Sequence, residues 1–152
     1  DDNMPYEKDG VGELPHLSEM ARAALEILET DPDGFFLMIE GGRIDHAGHE
    51  NDIERLGPEV AEFDRAVQVA LEWAKGREDT LILVTADHET GGLKLPRTFN
   101  GEWPPPARWL HTNHTSTPVA IYAQGPNAQL VRDGLDNTDV FRILGGCPVP
   151  QP

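Results

Sequence analysis

The sequence predicts an open α/β sheet with helical crossovers, and three observations carry that prediction. Three short apolar runs, at 35–39, 80–85 and 118–123, have strand length, and segments of helical periodicity lie around them. The run Phe35-Phe36-Leu37-Met38-Ile39 does not alternate apolar with polar, as expected of a strand covered on both faces of a parallel sheet. The resulting order is helix, strand, helix, strand, excursion, strand, helix, the order of strands joined by crossovers.

Residues 1–16 are polar with Pro and Gly, an extended lead-in. Leu17-Ser18 opens the first helix with Ser18 as its N-cap, and Met20, Ala24, Leu25 and Leu28 supply its apolar face. Asp31-Pro32-Asp33-Gly34 ends it ahead of the first strand. A second helix covers about 58–75, with Pro58 in its first turn and Val60, Phe63, Ala66, Val67, Ala70, Leu71 and Ala74 at helical spacing. Gly76 closes that helix and the strand 80–85 follows. Residues 92–113 form an excursion without regular structure, since Pro104-Pro105-Pro106 cannot lie in a central strand. The third strand comes next, then a turn at Gly125-Pro126. Asn137-Thr138-Asp139 caps a last helix through Leu144. The folded part thus spans 17–146, with 147–152 a tail.

The chain has 152 residues, which suits one domain able to bury a real core, although 13 Pro and 15 Gly imply long irregular stretches. The opening Asp1-Asp2-Asn3-Met4-Pro5 resembles neither a signal peptide nor a natural start, so an internal fragment or processed piece is expected. No apolar run approaches the roughly 20 residues of a membrane span. Twenty-seven acidic against 12 basic residues give a net charge of -15, which repels nucleic acid phosphates and anionic lipid and makes neither a partner. The acidity is that of a solubilising surface, or of adaptation to high salt. A single cysteine, Cys147, excludes an internal disulfide and lies away from the ligand-rich segments.

The chemistry concentrates beyond the ends of two predicted strands. After 35–39 come Glu40-Gly41-Gly42-Arg43-Ile44-Asp45-His46-Ala47-Gly48-His49, and after 80–85 come Ala86-Asp87-His88-Glu89. Ligands in open α/β sheets collect in that place. If the first segment is helical, Asp45 and His49 leave one face a turn apart, and a carboxylate with an imidazole suits zinc. Taken alone, that pair equally fits a surface acid–histidine pair. Asp87 and His88 share an ion only if their strand has already ended; otherwise they are a turn residue and an exposed histidine. Glu40 offers an oxygen to a harder ion such as magnesium, and Gly41-Gly42 permit close backbone approach or make a plain turn. His111 and His114 are each able to complete a third ligand, or are a pair of loop histidines.

Phe36-Leu37-Met38-Ile39-Glu40-Gly41-Gly42-Arg43-Ile44-Asp45-His46, Val84-Thr85-Ala86-Asp87-His88-Glu89-Thr90-Gly91-Gly92 and His114-Thr115 followed by Gly125-Pro126 resemble the carboxyl-terminal half of an alkaline phosphatase, over about residues 17–144. The resemblance implies an incomplete part of a three-layer, open, mostly parallel α/β sheet. It implies phosphate monoester hydrolysis through a phosphoserine intermediate at a site of two zinc ions and one magnesium. Asp45, His49 and His114 match the ligands of the first zinc, Asp87 and His88 two ligands of the second, and Glu40 a magnesium ligand. His46 matches a position behind the ligands, near phosphate and metals, where other members carry Lys or Trp. His114 is preferred over His111 for its distance to Gly125-Pro126. Two metals about 4 Å apart would clamp the attacking and leaving oxygens.

The family's nucleophile lies in an Asp-Ser-Ala segment followed by a Thr, with a phosphate-binding Arg, all upstream; no Asp-Ser occurs here, and Ser18, Ser116 and Arg43 do not match these groups. The expected partners are therefore phosphate monoesters, inorganic phosphate and a missing amino-terminal part of the same enzyme, with a homodimer possible for the complete protein. The isolated chain is expected not to turn over. The resemblance also implies periplasmic or secreted placement. Two other readings are a related phosphodiesterase or phosphoglycerate mutase, which the Glu-Gly-Gly-Arg-Ile-Asp and Thr-Ala-Asp-His-Glu-Thr-Gly-Gly segments oppose, and an acidic zinc-binding module without catalysis.

Overall fold

A computed structural model describes residues 3–146 and 148. The chain forms two compact units: Asp1–Trp73 with His88–Pro118, and Ala74–Asp87 with Val119–Pro152. The expected tail, Cys147 included, lies outside the described residues apart from Pro148.

The first unit is built on helices α1 (Leu17–Leu28) and α3 (Ile53–Trp73). Ala21 and Leu25 of α1 pack on Ala66 and Val69 of α3, joined by Leu17, Ala70 and Trp73. Ala21 sits one turn before Leu25 and Leu17 one turn before Ala21, so this stripe faces α3. Met20, expected on the apolar face, is exposed instead. Nor is Ser18 the cap. His16 holds that position, its N–H donating to Glu19 Oε2 at 2.9 Å, while the Ser18 N–H donates to Glu62 Oε1 of α3 at 2.8 Å. Helix α3 begins five residues before its expected start. Asp52 Oδ1 accepts from the N–H groups of Glu54 and Arg55, 3.0 Å each, and so caps the helix from Ile53. Pro58 therefore lies inside the helix, where its missing N–H leaves the Glu54 carbonyl without its intrahelical donor.

The buried stripe of α3 contains two carboxylates, Glu59 and Glu62, at positions seven and four before Ala66. Each receives an orphan backbone N–H from a neighbouring element: Glu7 donates to Glu59 Oε1 at 2.7 Å, and Ser18 to Glu62. The lead-in is accordingly packed, not free. It forms a 3-10 turn at Glu7–Asp9, and Tyr6 and Val11 are buried. Burial pushes the Glu62 carboxyl up, but the Ser18 N–H and the Arg65 guanidinium outweigh it and hold the group below the usual carboxylate range. A depressed carboxylate stabilises the fold above its unfolded pKa, about 4.3, and that contribution is lost as pH falls through the folded value. Glu62→Gln is expected to cost about 1–2 kcal/mol at pH 7. In urea titrations the gap to wild type should hold above about pH 5 and shrink below about pH 4. A gap constant down to pH 3 would show that the Glu62 charge does not hold α1 to α3.

The run 35–39 is not a strand. Leu37 and Ile39 pack on the α1–α3 core and the Phe35 ring lies 5.6 Å from that of Trp73, while Phe36 and Met38 are 71% and 66% exposed. Extended backbone sends successive side chains to opposite sides, and only one side meets protein. No strand among the described residues pairs with the segment, so its apolar content reads as two faces of which one is covered.

From this segment the chain enters helix α2 (Gly42–Glu50), closed by Asn51 in the left-handed conformation at φ 56°. After α3 the first unit resumes with β2 (Glu89–Thr90) and β3 (His114–Thr115), paired antiparallel with Thr90 opposite His114 and Glu89 opposite Thr115. The expected excursion between them carries a single bridge, Lys94 to Arg108.

In the second unit β1 (Ile82–Thr85) pairs antiparallel with β4 (Ile121–Gln124). These are the second and third expected strands, the latter beginning three residues late. Both ladders among the described residues are antiparallel, which departs from the mostly parallel sheet expected. A parallel pair requires a crossover connection of a dozen or more residues, usually helical, and the chain between β1 and β4 contains only β2 and β3. Helix α4 (Asn137–Leu144) is capped by Asp136, whose Oδ1 accepts from Thr138 at 2.9 Å, one residue earlier than expected; Ile143 is its buried anchor.

Candidate metal centre

Helical spacing and strand register together build the site. On α2, Asp45 and His49 are four residues apart and share a face, with His49 Nε2 3.3 Å from Asp45 Oδ2. In the β2–β3 pair, directly opposed residues project to the same side, so Thr90 and His114 reach α2 together. His114 Nε2 lies 3.2 Å from Asp45 Oδ1 and 2.8 Å from His49 Nε2. One ligand atom from each of Asp45, His49 and His114 thus falls within 4.8 Å of the others. Gly48 allows the close approach of helix to strand: a Cβ there would stand 3.1 Å from Thr90 Cγ2.

The hydrogen bonds behind these groups set which nitrogens are bare. His49 Nδ1 lies 2.6 Å from the Thr112 carbonyl, which only accepts, so Nδ1 carries the hydrogen and Nε2 the lone pair. The Thr90 hydroxyl donates to Asp45 Oδ1 at 2.6 Å. Its oxygen can then only accept from His88 Nδ1, 3.1 Å away, so the ring hydrogen of His88 sits on Nδ1. The His88 ring stacks on that of His114 with centroids 3.5 Å apart. Partial burial pushes the Asp45 carboxyl up, but the Thr90 hydroxyl and the imidazoles of His49, His114 and His88 outweigh it and hold the group below its ordinary range. The arrangement is a carboxylate kept ionised and imidazoles oriented by backbone and hydroxyl partners, which is how protein ligands are readied for a metal.

The other expected residues stand as follows. His111 does not join the cluster; its Nε2 lies 3.8 Å from Glu89 Oε2. Glu40, also outside the cluster, is exposed and folds back over Gly42. His46 is half-buried, its Nδ1 3.1 Å from Arg43 Nη1. Asp87 closes the first segment of the second unit and is exposed. Thr90 and the Thr112 carbonyl were not anticipated. A hydroxyl two residues after a histidine is an unremarkable sequence feature, and only the strand register reveals what Thr90 touches. Thr90→Val keeps the side-chain shape and removes the hydroxyl, so zinc affinity is expected to fall about 10- to 100-fold. Unchanged affinity in isothermal titration would remove Thr90 from the site.

An alkaline phosphatase family model matches residues 1–104, more than half of the chain. The chain belongs to the alkaline phosphatase family. Alkaline phosphatase 3 of Bacillus subtilis (strain 168) is 42% identical over 138 residues, covering 90% of this chain and 28% of that protein. The alkaline phosphatase of the Antarctic bacterium TAB5 superposes with a TM-score of 0.72 at 34% identity, over 83% of this chain and 38% of that one. A TAB5 variant with magnesium bound in its M3 site matches equally well, at 33% identity and the same coverage. The chain therefore spans 28% of the Bacillus protein and 38% of the TAB5 enzyme, and the α/β fold class holds while the strands here form two short antiparallel ladders.

Proposed function

We propose that this chain supplies most of the metal ligands of a phosphate monoester hydrolase whose nucleophile comes from a further part of the same protein. The convergence of Asp45, His49 and His114, with His49 Nε2 held bare by the Thr112 carbonyl, is the observation that carries the reading. One carboxylate and two imidazoles are a borderline-soft donor set that fits zinc, and three protein ligands leave a position for water or substrate. Asp45, His49 and His114 would hold such a cation, the two imidazoles offering Nε2 as donor atoms. His88 and Asp87 are proposed for a second zinc, and the exposed carboxylate of Glu40 for magnesium, a hard ion suited to oxygen. The magnesium in the TAB5 variant supports the last assignment by analogy. Bound divalent ions supply charge stabilisation at phosphoryl oxygens and a more acidic attacking oxygen.

What this chain's residues do is hold and orient. Thr90 ties Asp45 to His88, Thr112 fixes His49, and β3 delivers His114. The serine nucleophile, the Asp bridging the second zinc and magnesium, the further magnesium Thr and the phosphate Arg are assigned to the remaining part. The fraction of each relative that is matched supports this division. A homodimer of the complete enzyme and periplasmic or secreted placement belong to the same proposal. The test is zinc titration with turnover of p-nitrophenyl phosphate, on this chain and on the longer gene product. Turnover by the longer product and none by this chain is expected. A longer product that binds zinc yet never hydrolyses phosphate esters would leave the acidic zinc-binding module as the answer.

A further inference from the structure

Arg43 is an expensive residue where it stands. Its Nε is buried with no acceptor among the described residues, and an unsatisfied buried donor is costly. Its guanidinium carbon lies 4.0 Å from the centre of the Tyr6 ring, and its charge faces the buried Glu59 carboxylate. Its Nη1 lies 3.1 Å from His46 Nδ1. On α2, Arg43, His46 and Glu50 follow i, i+3, i+7 spacing, so they form a stripe beside the Asp45–His49 stripe, with His46 next to the ligand face. Glu50 completes the stripe by accepting the Tyr6 hydroxyl at 3.0 Å, and the Arg55 guanidinium also lies on the Tyr6 ring, at 4.5 Å.

A guanidinium has donors only. The contact therefore exists only when His46 Nδ1 carries a lone pair, which places the ring hydrogen on Nε2. No group among the described residues bonds that Nε2. We propose that Arg43 is a positioning residue: stacked on Tyr6, it holds the His46 imidazole in one orientation and in the Nε2–H tautomer, presenting a fixed N–H donor beside the metal ligands to an oxyanion such as a phosphoryl oxygen. A planar guanidinium is suited to this because it lies flat on an aromatic ring and directs donors from its edge. The lead-in thereby acts on the site through Tyr6, a residue well separated from the ligands in sequence. Only the identity of the acceptor rests on the proposed phosphate chemistry; the tautomer does not.

Long-range proton–nitrogen correlation on the 15N-labelled chain reads the tautomer directly, with His46 assigned by its loss in His46→Gln. The expected wild-type pattern is a single Nε2–H form with Nδ1 accepting a hydrogen bond. Arg43→Met should shift the tautomer ratio about tenfold toward Nδ1–H, the effect of one hydrogen bond. Should Arg43→Met fail to fold, Tyr6→Leu, which removes the ring and leaves the donors, should shift it partially. A wild-type ring already averaging between tautomers overturns the proposal, as does an Arg43→Met spectrum unchanged at His46. Inorganic phosphate added to the zinc-loaded chain should move the His46 Nε2–H resonance in wild type and not in Arg43→Met; a shift of equal size in both overturns it. Absence of zinc binding with the tautomer retained would sink the hydrolase reading and leave the role of Arg43 standing.

Discussion

Replacing His114 by alanine is expected to weaken zinc binding by on the order of 100-fold or more, and His49→Ala by a similar factor, while His111→Ala leaves it nearly unchanged. A structural zinc site of four ligands is worth about 10–16 kcal/mol, so one ligand accounts for roughly 3–4 kcal/mol. Removing His114 leaves Asp45 and His49, two donors from one helix, which do not enclose an ion. His111 lies three residues before His114, but its imidazole is turned to Glu89 and lies against Gly92. Isothermal titration with the three variants decides the matter, and equal losses for His111 and His114 would refute the assignment of the third ligand. His16→Ala is the second control. Glu7, His16 and Glu62 also bring ligand atoms within 4.8 Å of one another. There, however, the Glu62 oxygens accept from Ser18 and Arg65, and His16 Nδ1 is bonded to Glu7 at 2.8 Å. Those atoms tie the lead-in and α1 to α3, whereas the Nε2 atoms of His49 and His114 face one another, with His49 anchored through Nδ1 to the Thr112 carbonyl.

The contrast between these two clusters shows what sequence reasoning can reach. Asp45 and His49 were legible because helix geometry converts a spacing of four into proximity without reference to the rest of the chain. Glu59 and Glu62 lie three residues apart within a helix, yet nothing in that spacing marks them as buried. Their meaning comes from two N–H groups more than forty residues away, at Glu7 and Ser18. Strands show the same limit. The apolar run 35–39 and the run ending in β1 look alike in composition, but a strand is defined by its partner. Ile82–Thr85 finds one in Ile121–Gln124, and 35–39 finds none among the described residues. Helix starts were missed for a related reason: Asp52 and Asp136 cap by side-chain bonds to the following N–H groups, and Pro58 and Asn137 nearby gave competing signals. Thr90 was the largest omission. Its role follows from a two-residue ladder that places it opposite His114, and register is a non-local property.

That ladder and α2 are locked together at Gly91, where substitution by alanine should have the second large effect. Gly91 has φ 84°, a conformation that L side chains rarely adopt, and a Cβ there would stand 2.7 Å from the Trp109 ring and 2.8 Å from the Gly48 carbonyl oxygen. The residue cannot step aside. Its N–H donates to the Asn113 carbonyl at 3.1 Å, and its own carbonyl accepts from Leu110 and His111 at 3.0 and 3.3 Å. Left-handed strain of about 1–2 kcal/mol and overpacking of about 1–3 kcal/mol together predict a loss of roughly 3 kcal/mol in urea unfolding. The colliding oxygen belongs to α2, beside His49, while Gly91 follows Thr90 directly. Gly91→Ala should therefore separate the Asp45–His49 face from Thr90 and His114, and weaken zinc binding in the molecules that still fold. Gly101→Ala is the matching control, since Gly101 has φ 89° with nothing within 4 Å of its Cβ position. It should show the backbone strain alone, about 1–2 kcal/mol, and leave zinc affinity intact. If the two variants lose stability equally, the contact between Gly91 and the Gly48 carbonyl does not hold the helix to the ladder, and the metal ligands must be brought together by other means.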